Sequence, residues 1–301
     1  MAVMAGRRVH YVHALHEKYG PYVRLSPNEV SVNDAGGFKQ IHAISSGFAK
    51  NQWYQDLTTM ERPGIFAMND KKAHAARRKL FARPFSKTHL REHWEGAVRE
   101  KVELAVSRMQ EEARSTGMTD VLKWWTFMAT DISSHLMFGD SFRTLEKGEV
   151  NDYIRCLQKA LMGGGIGAEL PLVRQIGRWL PLRASRELFG SNDYLIEYGQ
   201  AAVNNMKAQK GSKNIFANMM VEAEKGERLD DTDVKLEAMG LIVAGTDTTA
   251  ISLTYLVWAV LSHPAVEKEL KAELATLPEN YMEADLEALP FLNAVIEETY
   301  V

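Results

Sequence analysis

A carboxylate stands beside a hydroxyl in the middle of an apolar run. The run is MGLIVAGTDTTAISLTYLVWAVL, residues 239–261, and its centre reads Ala244-Gly245-Thr246-Asp247-Thr248-Thr249. Gly, Asp and Thr are poor residues for a helix interior. An acid in an apolar helix is costly unless it is solvated or used. Asp247 and Thr248 together could relay protons. Gly240, Ala244 and Thr248 are spaced by four, so they share one narrow face of small residues along which a flat cofactor could lie. Gly245 lacks a side chain and lets something bulky approach the backbone. The competing reading is close helix–helix packing, with the hydroxyls bonded back to the preceding turn. The hexapeptide by itself does not choose between the two.

A second set lies in KKAHAARRKLFARPF, which starts at Lys71. His74 and Arg78 are one helical turn apart, and imidazole and guanidinium donors suit carboxylates. The structural alternative is a solvated basic face. His89 and His93 have the spacing of some zinc pairs, but no further ligand completes a site, so they read as helix surface. Cys156 is the one cysteine, which excludes an intrachain disulfide, and it reads as a buried, inert thiol.

These groups need helices to position them. The 301 residues carry a net charge of −3, with 46% hydrophobic and 25% charged residues. That is ordinary globular composition, and it gives no electrostatic argument for nucleic acid as a partner. The N-terminal segment has no long apolar stretch. Residues 239–261 are long enough to cross a bilayer, but Asp247 near the centre would cost about 2.5–3.5 kcal/mol, so a buried helix without a membrane span is expected.

Helical patterns are expected over 7–19, from Lys71 to Pro84, and over 87–113, 119–138, 150–162 and 185–209. Others are expected between Pro171 and Pro181, over 214–225, and over a long stretch 232–262. YVRLSPNEVSVND predicts two short strands, 22–25 and 29–32, inside a small β element at about 21–33. Residues 50–69 read as irregular, and the glycines at 163, 164, 165 and 167 read as a flexible break. The expected class is mostly α, with 1–301 forming a single partial domain.

The AGTDTT run resembles the oxygen-activation motif of the cytochrome P-450 family, the haem-thiolate monooxygenases, at every position. Its flanks resemble that family too: SHP followed by a charged helix, and then LPFLNAVIEET. Upstream, HEKYGPYVRLSPNEVSVND resembles the first helix and strands of fungal members, and HAARRKLFARPFS resembles the basic helix that meets the haem propionates. The similarity runs through the chain in one consistent order. It implies an incomplete cytochrome P-450 fold with haem b as cofactor.

The resemblance also implies residue roles. His74 and Arg78 would hold propionates, Ala244, Gly245 and Thr248 would line the cofactor and oxygen site, and Asp247 and Thr248 would be the catalytic acid–alcohol pair for proton delivery. Substrate would lie near residues 55–70 and 160–182. The family's Glu-x-x-Arg pair would start at Glu298, where Val301 stands at the Arg position. No metal ligand is expected among these residues: the haem-ligating cysteine would follow residue 301, and Cys156 lies upstream of the oxygen motif. This chain by itself is therefore expected to be inactive.

The implied function is insertion of one oxygen atom from O2 into a small hydrophobic substrate in fungal secondary metabolism. NADPH-cytochrome reductase would be the electron donor. The complete protein would sit at the endoplasmic reticulum membrane if it has an N-terminal anchor, whereas this chain reads as soluble and cytoplasmic. The alternative is a non-catalytic helical binding or interaction protein.

Overall fold

The structure is a computed structural model that describes residues 5–58, 60–180, 182–208, 215–216 and 229–300. Several of its helices begin where an acceptor side chain satisfies a first free N–H group, and some end at a glycine whose backbone turns left-handed. α1 (Arg8–Tyr19) stops at Gly20, and β1 (Tyr22–Ser26) pairs antiparallel with β2 (Glu29–Val32), Tyr22 facing Val32. This is the expected small β element. α2 (Ala35–His42) is capped by Asp34, whose carboxylate accepts from Gly37 N at 2.6 Å. α3 (Trp53–Thr58) follows, and then α4 (Lys71–Ala82), capped by Asp70.

α5 (Lys87–Thr116) starts on Ser86 and α6 (Val121–Phe138) on Asp120; both end at a left-handed glycine, Gly117 and Gly139. α7 (Thr144–Lys147) is one turn, held by the buried carboxylate of Asp131, which accepts from Thr144 N, Thr144 Oγ1 and Leu145 N at 2.9–3.0 Å. α8 (Asp152–Glu169), α9 (Pro171–Trp179), α10 (Arg183–Phe189) and α11 (Ser191–Ala208) precede the long α12 (Asp231–Ser262). The chain continues through α13 (Pro264–Leu274), α14 (Glu283–Glu287) and α15 (Pro290–Glu298).

Three sequence expectations are corrected. The glycines at 163–167 are not a break: α8 stays helical to Glu169. Their missing side chains admit neighbouring backbone. A Cβ on Gly164 would lie 2.5 Å from the Leu57 carbonyl oxygen of α3, and one on Gly163 would collide with the Leu188 carbonyl of α10. Residues 50–69 are not wholly irregular, because α3 forms there and docks on α8; six residues are too few to show a helical period. The single helix expected over 185–209 is divided at Gly190 into α10 and α11. The helix expected over 214–225 lies, apart from 215–216, outside the described residues.

The close approach at Gly164 has a measurable consequence. Gly164→Ala should lower stability by about 1–3 kcal/mol, since a backbone carbonyl cannot swing aside as a side chain can. Gly165 faces open space, so Gly165→Ala should raise stability by roughly 0.5–1 kcal/mol. Urea unfolding of both variants checks this; equal shifts would restore the flexible-break reading.

α12 is the spine. It packs on α6 and α11, while α11 and α3 pack on α8. The main core gathers Phe138, Tyr153, Leu157, Leu195, Met239 and Ile242; a second cluster joins Ala105, Trp124, Phe127, Leu145 and Ile154. α12 is long and apolar enough to cross a bilayer by length and composition. Its buried residues lie in the first two thirds, from Val234 to Ala250, whereas Ile251, Tyr255, Trp258 and Leu261 are exposed, Trp258 to 65%.

Candidate active site

The start of α12 is fixed first. Asp230 and Asp233 form a reciprocal capping box, with Asp233 N donating to Asp230 Oδ1 at 2.8 Å. One turn on, Glu237 is 2% exposed, and its carboxylate accepts from Ile65 N at 2.9 Å and from Arg77 Nη1 at 2.6 Å. Arg77 Nη2 also pairs with Asp233 at 3.1 Å. Burial pushes the Glu237 pKa up, opposed by the Ile65 N–H and the Arg77 guanidinium. This junction ties α4 and the 60–67 loop to α12. Sequence reading missed it, because Arg77 looked like one more member of a basic run.

Above the junction lies a cavity of about 310 Å³. Its walls come from α3 and the following loop (Leu57, Met60, Ile65, Phe66), from α8 (Leu157, Ala160, Leu161) and from α12 (Gly240, Val243, Ala244, Asp247, Thr248). The polar groups on this mostly apolar wall are few: Thr58, Glu237, Asp247 and Thr248. Residues 57, 58, 60, 64–67 and 160–161 therefore meet the cavity, while 170–180 do not line it.

α12 runs through AGTDTT without a break. Thr246 is buried and donates to Ile242 O at 2.8 Å, and Thr248 Oγ1 donates to Ala244 O at 2.5 Å. The hydroxyls are thus bonded back to the preceding turn, as the packing alternative requires. Thr248 nevertheless remains exposed on the cavity side, with its oxygen lone pairs free to accept. Asp247 is half-buried on the same wall, and burial raises its pKa above the usual carboxylate value. Gly245 points elsewhere: a Cβ there would collide with Ser133 Oγ of α6, so its missing side chain serves helix packing. The structure brings Gly240, Ala244, Asp247 and Thr248 together on the cavity and sets Gly245 behind them.

His74 and Arg78 lie on α4, away from the cavity wall. Arg78 is exposed, and no described carboxylate pairs with either residue. His74 has its pKa lowered by burial first, and then by the positive charges of Lys50 and Arg78. Lys50, absent from the sequence-based set, donates to Phe66 O at 2.6 Å and has its own pKa lowered by burial. Two cationic groups, Lys50 and Arg78, thus bear on the His74 imidazole at one edge, beside the carbonyl of a cavity residue. Such a cluster favours an anion. The small-residue face of α12 offers room as well, since nothing lies within 4 Å of a Cβ built on Gly240. A flat group bearing carboxylates, as haem does, fits these two features.

The family described as Cytochrome P450 matches residues 2–300. The cytochrome P450 monooxygenase tazI of Aspergillus terreus is 38% identical over 303 residues, covering 99% of this chain and 62% of that protein. The cytochrome P450 monooxygenase stcB of Emericella nidulans is 37% identical over 304 residues, covering 99% of this chain and 58% of the relative. The chain thus spans about three fifths of the length of these relatives. Among solved structures, the cytochrome P450DA heme domain superposes with a TM-score of 0.68 at 19% identity, over 84% of this chain and 55% of that one, a likeness of fold. The chain belongs to the cytochrome P450 family.

Proposed function

We propose that this chain forms the substrate cavity and the proton-handling half of a monooxygenase that inserts one oxygen atom from O2 into a small hydrophobic molecule. The observation that carries this is the Asp247–Thr248 pair: the acid and alcohol share one wall of an otherwise apolar cavity, and burial raises the acid's pKa. A carboxyl with a raised pKa is better matched to giving and taking protons near neutral pH than an ordinary aspartate.

Haem b is the cofactor in this reading, and when bound it supplies the activation of dioxygen. Arg78, His74 and Lys50 would hold its carboxylates, and Gly240 and Ala244 would leave room for its plane. Asp247 takes a proton from solvent at its carboxyl oxygen and passes it to a lone pair of Thr248 Oγ1, whose own hydrogen leaves the Ala244 carbonyl and moves onward into the cavity. The apolar walls from α3, α8 and α12 exclude bulk water and select an apolar substrate of modest size. The electron donor would be NADPH-cytochrome reductase, with the complete protein at the endoplasmic reticulum membrane. In this reading the activity serves fungal secondary metabolism, which the fungal origin of the monooxygenase relatives supports.

Thr248→Ala tests the reading in a haem-loaded protein carrying this chain. Haem content and substrate affinity should be unchanged. Product formed per NADPH should fall by roughly tenfold or more, with hydrogen peroxide rising to match, because a proton donor has been removed. NADPH, product and peroxide are measured together. Full coupling in the variant would overturn the assignment.

A further inference from the structure

Two polar groups near the cavity have no hydrogen-bond partner among the described residues. One is the hydroxyl of Tyr153, a residue 0% exposed. The other is the carboxyl of Asp247. A buried hydroxyl without a partner costs about 1–3 kcal/mol and calls for an explanation.

The two groups belong to one neighbourhood. Tyr153 lies on α8 one turn before Leu157, on the same face, and Leu157 lines the cavity. Asp247 lies on α12 one turn after Val243, which also lines it. Tyr153, Leu157, Met239 and Ile242 share one core cluster. The Tyr153 ring is fixed by Phe142, with centroids 5.0 Å apart, and by Tyr198 at 5.3 Å. The Asp247 charge reaches Tyr153: after burial, it is the next cause raising that phenol's pKa.

Most other candidates for either group are engaged or turned away. Tyr198 Oη accepts from Tyr194 Oη at 3.3 Å, which leaves its own hydrogen to donate, so Tyr198 is the competing partner that the test below includes. On α6, Asp131 is committed to α7, and His135 sits edge-on to Trp94 of α5. Glu237, on the same cavity wall, is held by Arg77 and Ile65. No described cation perturbs Asp247, for which burial is the one resolved cause.

We propose that Tyr153 is the positioning residue of Asp247, donating its hydroxyl hydrogen to the Asp247 carboxylate in one of that side chain's staggered rotamers. The contact would aim the carboxyl along the cavity wall beside Thr248 and favour its ionised form, so that the proton it carries is released more readily. This rests on the reading of Asp247 as the proton-handling acid, but its test does not depend on turnover.

Tyr153→Phe keeps the ring and its contacts with Phe142 and Tyr198. The carboxyl C=O band of Asp247 is isolated as the infrared difference between the parent protein and its Asp247→Asn variant, and is titrated with pH. Tyr153→Phe should raise the midpoint by about one pH unit. Tyr198→Phe should leave it in place. An unmoved midpoint in folded Tyr153→Phe, or an equal shift in Tyr198→Phe, would overturn the proposal. Loss of the oxygen-site reading shows differently: Asp247→Asn would then leave product coupling intact, whatever the infrared midpoint does.

Discussion

Arg77→Leu is expected to lower the unfolding free energy by about 3–5 kcal/mol at neutral pH, which is large for one position in a basic run. The reason is Glu237, 2% exposed and facing the cavity. Without Arg77 it keeps, among the described residues, only the Ile65 N–H and becomes a buried charge without a described counter-charge. The pH dependence separates this cause from simple loss of packing. Burial already raises the Glu237 pKa in the folded protein above the ordinary 4.5. Losing the guanidinium raises it further, so the folded state binds this proton more tightly than the unfolded chain. Stability is then lost as pH rises from about 4.5 through the folded value, and the deficit should shrink below that range. The double change Arg77→Leu with Glu237→Gln should recover part of the loss, since no buried charge remains. Denaturant titrations at several pH values measure all three. A pH-independent deficit with no recovery in the double variant would mean that Arg77 acts through its aliphatic contacts.

Asp247→Asn should reduce kcat about 100-fold in a haem-loaded protein carrying this chain, with substrate affinity nearly unchanged. Asn has a similar shape and fills the same space on the cavity wall, but it cannot carry the proton. Stability should move the other way. The Asp247 pKa is raised by burial above its ordinary 3.8, so ionisation costs the folded state stability as pH rises from that value through the folded one. Asn removes the cost, and the variant should be the more stable protein at neutral pH. Lower turnover with higher stability is the behaviour of a residue kept for chemistry, and a purely structural acid would not show it. Steady-state kinetics and thermal melts on one preparation test both halves; a variant that is less stable and fully active would place Asp247 among packing residues.

Much of the frame is legible in the residues. Asp230 is a short acceptor standing before a helical pattern, and Gly117 and Gly139 close two others, so the C-terminal ends of α5 and α6 and the start of α12 could be placed to within a few residues. The strands were legible because Ser26-Pro27-Asn28 interrupts an alternating apolar pattern. The acid–alcohol pair could be read because Asp247 violates the pattern of its own helix, and local violations of that kind are visible in one dimension.

What only the tertiary structure decided involves distance between residues far apart in sequence. The glycines of α8 look like a break along the chain and become a docking face only when α3 and α10 lie against them. Gly245 read as room for a cofactor, and the fold turns it toward Ser133. Arg77 and Glu237 are 160 positions apart, and neither carries a local sign of the other. Lys50 joins His74 and Arg78 through the path of a loop. Periodicity and caps are set within a few residues of backbone, so sequence determines them; charge pairing and close backbone approach depend on which surfaces meet, and that is settled by the packing of the whole core.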